Sequence, residues 1–508
     1  MSTMVSPALP DEDALYKALS AHDARFDGRF FTGVTSTGIY CRPICRVRTP
    51  RRANCRFFEL AAQAEQAGFR PCLRCRPELA PMDRHWSTED ASDILIRQAV
   101  AWLESPTSSE VDTGSPGFMA RLAERLGVSD RHLRRLFESR LGVSPLQFLQ
   151  THRLLSAKQL LTDTALPVAD IALAAGFASV RRFNAAFASR YGLTPSDLRK
   201  GGREVNAGPA QIRLGWRPPY QADALLAFFQ DRAIPGVEWV DPGTRTLRRT
   251  LKIHLRGVDH AGWMEVRLIP HVHQLWLSVS DGLIPALPAV IAITRQAFDL
   301  DADPQAIDAA LCTDFPGSEG MRVPGCFDGF ELAVRAVLGQ QVTVRAARTL
   351  TERLVSRWGE PIRTDEDALS RLFPTPQALS TATATQLGEL GVVRQRQVAL
   401  QALARGVLDG QLTFDVGGPP DDQIRALVGL PGIGPWTAQY IAMRALRWPD
   451  AWPVGDVAVH QALGLAGKSA AGARQAAEQR AQAWRPWRSY GVIRAWASLK
   501  NPAMKATS

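Results

Sequence analysis

The sequence contains no uninterrupted apolar run near the roughly 18 residues that a membrane-spanning helix requires, so we expect no membrane partner. Its first residues lack the basic start and apolar core of a secretion signal. Low-complexity tracts are missing as well. These absences argue against membrane, secreted and fibrous proteins, and they predict a cytoplasmic location.

Cysteine is scarce, with seven in 508 residues, yet five of the seven lie between Cys41 and Cys75. In a long chain without a predicted secretion signal, such clustering favours a metal site over disulfides. The net charge is +10 and the pI is about 9.5, which is typical of proteins with an acidic partner, most often nucleic acid.

The chain is long enough for about three or four domains. We predict a multidomain, mainly α protein with a small α/β domain, because short alternating apolar runs, such as Leu251–Leu255 and Leu275–Val279, are confined to one stretch. Helical periodicity dominates on both sides of that stretch. The segment that precedes the first helical part, near the start of the chain, is rich in Arg and Cys. The predicted domains are 1–84, 85–203, 204–317 and 318–508.

Four cysteines form two closely spaced pairs, Cys41-x3-Cys45 and Cys72-x2-Cys75. Each pair can place two sulfurs on one tetrahedral ion, so the spacing predicts a four-thiolate zinc site. From the spacing alone, a purely structural zinc is favoured over chemistry at the metal.

The residues around these pairs, Ser36–Arg48 and Gly68–Arg76, resemble the N-terminal domain of the Ada family of bacterial alkylation-response proteins. The resemblance covers about residues 11–83. It implies that Cys41 accepts a methyl group from DNA phosphotriesters, and that Cys41, Cys45, Cys72 and Cys75 bind zinc. The C-terminal methyltransferase of that family, with its Pro-Cys-His-Arg site, has no counterpart, so repair of O6-methylguanine is not expected.

Two stretches repeat one pattern: a helix, a glycine-containing turn, an N-cap serine and a second helix. They are Phe118–Arg140 and Val168–Arg190, and the outward basic residues are Arg131, Arg134, Arg135, Arg181 and Arg182. Tandem helix-turn-helix units explain the pattern, and a plain helical bundle with solvated arginines is the alternative. The second unit resembles the AraC family of transcription regulators, which implies promoter DNA, and RNA polymerase, as partners on the bacterial nucleoid.

Further along, Leu430–Thr437 places two glycines in a short turn before a helix, where backbone amides can hold a phosphate. Asp456 follows in Pro453-Val-Gly-Asp. A lone aspartate in this position is an N-cap more often than a catalyst, although it can be both.

Most of the chain after Ile212 resembles AlkA-type 3-methyladenine DNA glycosylases of the helix-hairpin-helix superfamily. The matching motifs are Leu214–Tyr220, Pro324–Phe330, Leu338–Val342 and Pro486–Tyr490. The resemblance implies the following roles: Asp456 as the catalytic carboxylate; Trp436, Tyr440 and Trp496 as the base pocket; Gly432, Gly434 and Thr437 as phosphate-binding positions; and Gln341 as the wedge that enters the duplex. It also implies a monovalent cation at the hairpin and no cofactor for base excision.

Two positions depart from that family: Gln341 is polar where the wedge is usually apolar, and Ala497 replaces an aromatic residue after Trp496. Trp436 occupies the position of the lysine in related bifunctional enzymes, so we expect no Schiff base and no strand cleavage. We therefore predict a glycosylase fused to a methylation-sensing regulator. The alternative is a methylation-responsive transcription factor whose C-terminal half binds DNA without catalysis.

Overall fold

The computed structural model describes residues 10–82, 91–104, 117–200, 211–255, 257–414 and 419–501. Helices dominate these ranges, and their strands form one four-stranded and one five-stranded sheet. The prediction of a mainly α, multidomain protein with a small α/β part is confirmed. Among the described helices, none has the length and apolar character needed to cross a bilayer.

Residues 10–82, called here the N-terminal region, contain a small sheet with two helices packed beside it. The elements are α1 (Glu12–Ser20), β1 (Phe31–Val34), β2 (Ile39–Cys41), β3 (Cys55–Phe58), α2 (Ala61–Gln66) and β4 (Arg70–Pro71), and the strand order is β3-β1-β2-β4. Buried Phe31, Tyr40 and Phe69 fill its core. Because β2 and β4 pair in parallel, Cys41 at the end of β2 and Cys72 just after β4 lie at the same edge.

Two helix-turn-helix units follow. Their helices are α3 (Ala91–Glu104), α4 (Phe118–Arg125), α5 (Asp130–Leu141), α6 (Pro145–Asp163), α7 (Val168–Ala174), α8 (Val180–Tyr191) and α9 (Pro195–Lys200). The predicted N-cap serines begin the second helix of each unit: the Ser129 hydroxyl accepts from His132 N at 3.2 Å, and that of Ser179 from Arg182 N at 3.3 Å. Helix α6 connects the units.

The five-stranded sheet is antiparallel throughout and has the order β5-β9-β8-β7-β6. Its strands and neighbouring helices are β5 (Gln211–Gly215), α10 (Ala222–Gln230), β6 (Glu238–Asp241), β7 (Thr246–Leu255), β8 (Val258–Ile269), β9 (Gln274–Val279) and α11 (Leu287–Ala297). The alternating runs predicted as strands lie in β7 and β9. Apolar side chains of alternate residues, such as Leu275, Leu277 and Val279, are buried against the helices.

Residues 304–501, called here the C-terminal region, are mainly helical. The helices are α12 (Pro304–Leu311), α13 (Gly329–Leu338), α14 (Val344–Trp358), α15 (Pro376–Thr381), α16 (Ala384–Glu389), α17 (Arg394–Leu408), α18 (Pro420–Val428), α19 (Pro435–Arg444), α20 (Val457–Ala462), α21 (Ala470–Gln482) and α22 (Arg488–Lys500). Two large buried clusters hold them together, one around α13 and α17 and the other around Trp484. Helix α19 has buried residues in both clusters, so it lies between them.

Buried ions attach the N-terminal region to α6. The Lys158 ammonium on α6 lies 2.5 Å from a Glu78 carboxylate oxygen, and both side chains are at most 2% exposed. Arg76 joins Glu78 at 3.0 Å and Asp163 at 2.6 Å. Buried ions are tolerated in a low dielectric only when each has a partner of opposite charge. These pairs therefore fix how the N-terminal region sits on α6.

Arg217, in the Leu214–Tyr220 motif, joins the N-terminal region to the C-terminal half. Its guanidinium is fully buried and donates to the carbonyls of Asp27 (2.9 Å), Met82 (3.0 Å) and Asp301 (3.1 Å), among others. Because one guanidinium binds all three carbonyls, it holds the segments that contain Asp27, Met82 and Asp301 at fixed distances from one another.

Candidate metal centre and base-excision site

The sulfur atoms of Cys41, Cys45, Cys72 and Cys75 all lie within 4.8 Å of one another. Zinc–sulfur bonds of about 2.3 Å in a tetrahedron separate sulfurs by roughly 3.8 Å, so the cluster fits zinc. Hydrogen bonds from Cys41, Cys45 and Cys75 hold the pKa of Cys72 well below its usual range. Such crowded thiols share protons that a divalent cation displaces.

The metal centre is supported from behind by a buried ion pair. The backbone N–H of Arg42 donates to Cys75 Sγ at 3.3 Å, and its guanidinium donates to the Cys75 carbonyl at 3.0 Å and to the Asp27 carboxylate. Asp27 is the residue whose carbonyl binds Arg217. Hydrogen bonds thus connect the cysteine cluster, through Arg42 and Asp27, to Arg217, which joins the N-terminal region to the C-terminal half.

The predicted DNA-reading arginines all lie on exposed faces of α5 and α8, and none is part of the apolar core. Arg131 and Arg135 line an open groove of about 530 Å³ with Ser129 and His132. Arg134 pairs with Asp130 at 2.7 Å in an exposed contact. The outward placement that the amphipathic pattern predicts is therefore present in both units.

The hairpin between α18 and α19 contains the two predicted glycines. Gly432 has φ +80°, and a Cβ there would lie 2.9 Å from the Ala399 side chain on α17, so only glycine allows this approach. Helix α19 begins at Pro435, which has no N–H, so the unpaired amides of its first turn are those of Trp436 and Thr437. They can hold an anion such as a DNA phosphate.

Asp456 is 7% exposed and contacts the indole rings of Trp436 and Trp496. One carboxylate oxygen accepts from Trp436 Nε1 at 2.9 Å. The other accepts from Val459 N at 2.8 Å and from Trp496 Nε1 at 3.1 Å. The aspartate therefore caps α20 and also contacts two of the three predicted pocket aromatics, so its role as N-cap is compatible with the predicted catalytic role. These three N–H donors fix the orientation of the carboxylate.

The structure brings together the three predicted pocket aromatics from α19 and α22. Trp436 and Tyr440 are stacked, with centroids 5.4 Å apart and planes 7° from parallel. Trp496 is tilted against Tyr440 at 6.2 Å. All three rings are half-buried, and together they form an aromatic surface beside the carboxylate that suits a planar, electron-poor base.

Sequence reasoning missed Arg444, which lies one turn after Tyr440 on α19. Its Nη1 donates to the Tyr440 hydroxyl oxygen at 2.7 Å. Burial alone raises the pKa of Tyr440, but the nearby guanidiniums of Arg444 and Arg232 outweigh it and hold that pKa below its usual value. An arginine within the apolar stretch Ile441–Leu446 was the available signal.

The predicted wedge residue, Gln341, is exposed at the turn between α13 and α14, where it adopts φ +53°. Its neighbour Gln340 has a role that the sequence did not reveal. The Gln340 amide donates to the Gly432 carbonyl at 2.9 Å and to the Thr437 hydroxyl at 3.1 Å. This turn is thereby fastened to the hairpin.

Four family models match successive parts of the chain. The metal-binding domain of Ada matches residues 14–78, and a helix-turn-helix domain matches 122–201. The AlkA N-terminal domain matches 211–328, and the HhH-GPD superfamily of base excision DNA repair proteins matches 334–488. The cysteine cluster lies inside the first match, which supports zinc as its metal.

Curated relatives cover the same parts. A DNA-3-methyladenine glycosylase 2 from Escherichia coli is 36% identical over 56% of this chain and 95% of its own length. The bifunctional transcriptional activator/DNA repair enzyme Ada of that species is 32% identical over 38% of this chain and 51% of its own. A probable bifunctional transcriptional activator/DNA repair enzyme AlkA from Mycobacterium tuberculosis is 36% identical over 97% of both chains. The chain therefore belongs to the AlkA family of bifunctional transcriptional activators and DNA repair enzymes.

Proposed function

We propose that the C-terminal half excises alkylated bases, of the 3-methyladenine and 7-methylguanine type, from DNA by hydrolysis. The observation that supports this best is the Asp456 carboxylate, held by two indole N–H groups and a helix N-terminus beside an aromatic pocket. Family membership agrees with the proposal. We also propose that the protein acts on DNA in the nucleoid.

The reaction begins with a flipped nucleotide whose base stacks on the pocket aromatics. A purine methylated on a ring nitrogen is cationic, so the C1′–N bond breaks with its electron pair on the base, which leaves neutral. Positive charge then develops on the sugar, and the Asp456 carboxylate stabilises it. Water bonds to C1′ and loses a proton to the solvent. Trp436 offers no amine, so no Schiff base forms and the strand stays intact.

The hairpin and the turn of Gln341 position the DNA in this proposal. The amides around Gly432, Gly434 and Thr437 hold a backbone phosphate, and Gln341 fills the space that the flipped base leaves. A monovalent cation at the hairpin is part of the proposal. The Leu430 and Gly432 carbonyls each accept one hydrogen bond, so each keeps a second lone pair for such an ion.

Asp456→Asn tests the proposal on alkylated DNA, with release of free 3-methyladenine and 7-methylguanine as the measurement. We expect a loss of about 10²–10³-fold or more in base release with unchanged DNA affinity, because asparagine still caps α20 but carries no charge. Asp328→Asn is the matched control, since Asp328 caps α13 through Glu331 N at 2.6 Å. Base release equal to wild type in Asp456→Asn would overturn the assignment. Tight DNA binding without release by wild type would favour the non-catalytic transcription factor.

We also propose that the N-terminal region takes a methyl group from DNA phosphotriesters. The Cys41 sulfur bonds to the methyl carbon, and the carbon–oxygen bond breaks with its electrons on the phosphate, leaving an ordinary phosphodiester. Zinc, held by the four cysteines, would keep the Cys41 sulfur as a thiolate at neutral pH. Four thiolates on a divalent cation carry a net charge near −2, so methylation removes repulsion from DNA phosphates.

Methylation would then strengthen promoter binding by the helix-turn-helix units, whose Arg131, Arg134, Arg135, Arg181 and Arg182 face outward, and RNA polymerase would be the partner at the promoter. Transfer of labelled methyl from phosphotriester DNA tests this, with Cys55→Ala as control because Cys55 is a buried thiol outside the cluster. We expect transfer to wild type and Cys55→Ala. Transfer to a zinc-loaded Cys41→Ala variant would contradict the role of Cys41.

A further inference from the structure

The end of α19 places a buried charge next to Tyr440 of the predicted base pocket. The Arg444 side chain is 5% exposed, and besides Tyr440 it donates to the carbonyls of Pro324 at 2.8 Å and Gly325 at 2.9 Å. Within the part of the chain that the structure describes, no carboxylate forms an ion pair with it. Arg322 is likewise buried on main-chain carbonyls, but Arg444 differs from it in donating to an aromatic residue of the predicted base pocket.

A second cation adds to this charge. The Arg232 guanidinium lies 3.7 Å from the centroid of the Phe228 ring, and that of Arg444 lies 4.8 Å from the same ring. Arg335, also nearby, differs because Glu238 and Glu331 neutralise it at 2.8 Å and 2.6 Å. The net effect is positive potential concentrated at the Tyr440 end of the aromatic pocket.

The hydrogen bond also decides what the Tyr440 hydroxyl can do. Because Arg444 donates to the phenol oxygen, the phenol hydrogen is left to donate to another group. A donor polarised by a guanidinium is stronger than a free phenol. The stacked contact with Trp436 holds the ring that carries it.

We propose that Arg444, acting through Tyr440, adapts this pocket to neutral damaged bases, which leave as anions. When a neutral purine departs, the C1′–N9 bond breaks with its electron pair on the base, which is negative until it takes up the proton that water loses on bonding to C1′. Nearby positive charge stabilises that developing anion. A cationic methylated base becomes neutral on leaving and gains nothing comparable. The inference rests on the base-excision function proposed above, and Arg444 is a positioning residue in it.

The test compares two substrates with the full-length protein: a duplex with one deoxyinosine, whose base leaves as an anion, and DNA carrying cationic 7-methylguanine. Arg444→Met should lower the rate of hypoxanthine release about tenfold or more under saturating enzyme, and change 7-methylguanine release less than about threefold. Tyr440→Phe changes the pocket itself, so both rates can fall, but hypoxanthine release should fall more than 7-methylguanine release. Adding Arg444→Met to it should change the ratio of the two rates little further, because both residues act as one unit. Arg444→Lys should restore part of the rate, since it keeps the charge with fewer fixed donors.

Arg322→Met is the matched control. Arg322 is also buried, donates to the carbonyls of Gly320, Arg217 and Pro219, and lies 4.7 Å from the Tyr220 ring. It should change the ratio of the two rates little. If Arg444→Met lowers both rates equally, as a structural loss would, the inference is wrong; Tyr440→Phe decides the matter if Arg444→Met does not fold. Release of 7-methylguanine but no hypoxanthine by wild type also overturns it, whereas no release of 7-methylguanine overturns the proposed function itself.

Discussion

The metal centre takes its four ligands from two short segments, 41–45 and 72–75, whereas the predicted base pocket gathers side chains spread from Trp436 to Trp496. The supporting cores differ as well. A few aromatic residues fill the N-terminal region, while two large apolar clusters surround α19 in the C-terminal region. A region with so small a core depends on its metal and its neighbours, whereas the pocket depends on helix packing.

Zinc removal should give the largest difference between the two regions. Structural zinc contributes about 10–16 kcal/mol to the folding of small domains, so a chelator at pH 7 should abolish methyl transfer. Residues 10–82 should then become sensitive to protease. Release of 3-methyladenine should stay within about threefold, because the α19 clusters hold no part of the cysteine cluster. Loss of base release that returned on adding zinc would show that the pocket also depends on the metal.

The buried ions on α6 should have the next largest effect. Lys158→Met leaves Glu78 without its 2.5 Å partner, and removing one member of a buried pair costs about 3–5 kcal/mol. Urea unfolding of the zinc-loaded protein should show this loss, with base release unchanged. Lys252→Met is the control, because Lys252 pairs with partly exposed Glu360 and Asp259 and should cost under about 1 kcal/mol. Equal losses in the two variants would contradict a specific buried contact.

At the pocket, the indole donors should affect rate more than stability. Trp436→Phe and Trp496→Phe each keep an aromatic ring but remove one hydrogen bond from an indole N–H to the Asp456 carboxylate. A hydrogen bond to a charged group contributes about 1.5–3 kcal/mol. We expect kcat for 3-methyladenine release to fall about 10–100-fold, with KM changed little. Trp452→Phe, in the buried cluster around Trp484, is the control. A rise in KM with constant kcat would mean that the indoles only bind the base.

The extent to which sequence predicted these sites follows from how local each signal is. Cysteine spacing, the serine caps at Ser129 and Ser179, and the aspartate cap at Asp456 involve residues a few positions apart, so a one-dimensional pattern carries them. The alternating strands were equally readable. For the pocket, by contrast, the grouping of Trp436, Tyr440 and Trp496 came only from resemblance to a family, because no local rule connects α19 to α22.

Arg217, Arg444 and Gln340 were not predicted, and they share a cause. Each binds main-chain carbonyls of segments distant in sequence: Asp27 and Asp301 for Arg217, Pro324 for Arg444, and Gly432 for Gln340. A carbonyl is present at every residue, so its use leaves no pattern of residue types in the sequence. The connections between regions are therefore the part that only the structure supplies.

The smallest expected effect concerns Glu65 of α2, buried where the N-terminal region meets α6. Its carboxylate accepts from the Tyr40 and Thr151 hydroxyls and faces Arg190, with Lys158 contributing a further charge. Burial raises the pKa of Glu65 to about 7, from an ordinary value of 4.5. Between these pH values the folded protein holds a proton that the unfolded chain has released. The stability due to that proton is full below pH 4.5 and is lost as the pH rises through 7.

Glu65→Gln stays neutral at every pH, so it removes this dependence. From about pH 5 to 8, wild type should lose about 2 kcal/mol of unfolding free energy relative to Glu65→Gln. Exposed Glu59→Gln should change the profile little. Urea unfolding of the zinc-loaded full-length protein at several pH values provides the measurement. Parallel profiles for wild type and Glu65→Gln would mean that the carboxylate is already ionised at pH 5, and that Arg190 and Lys158 stabilise it more strongly than burial opposes it.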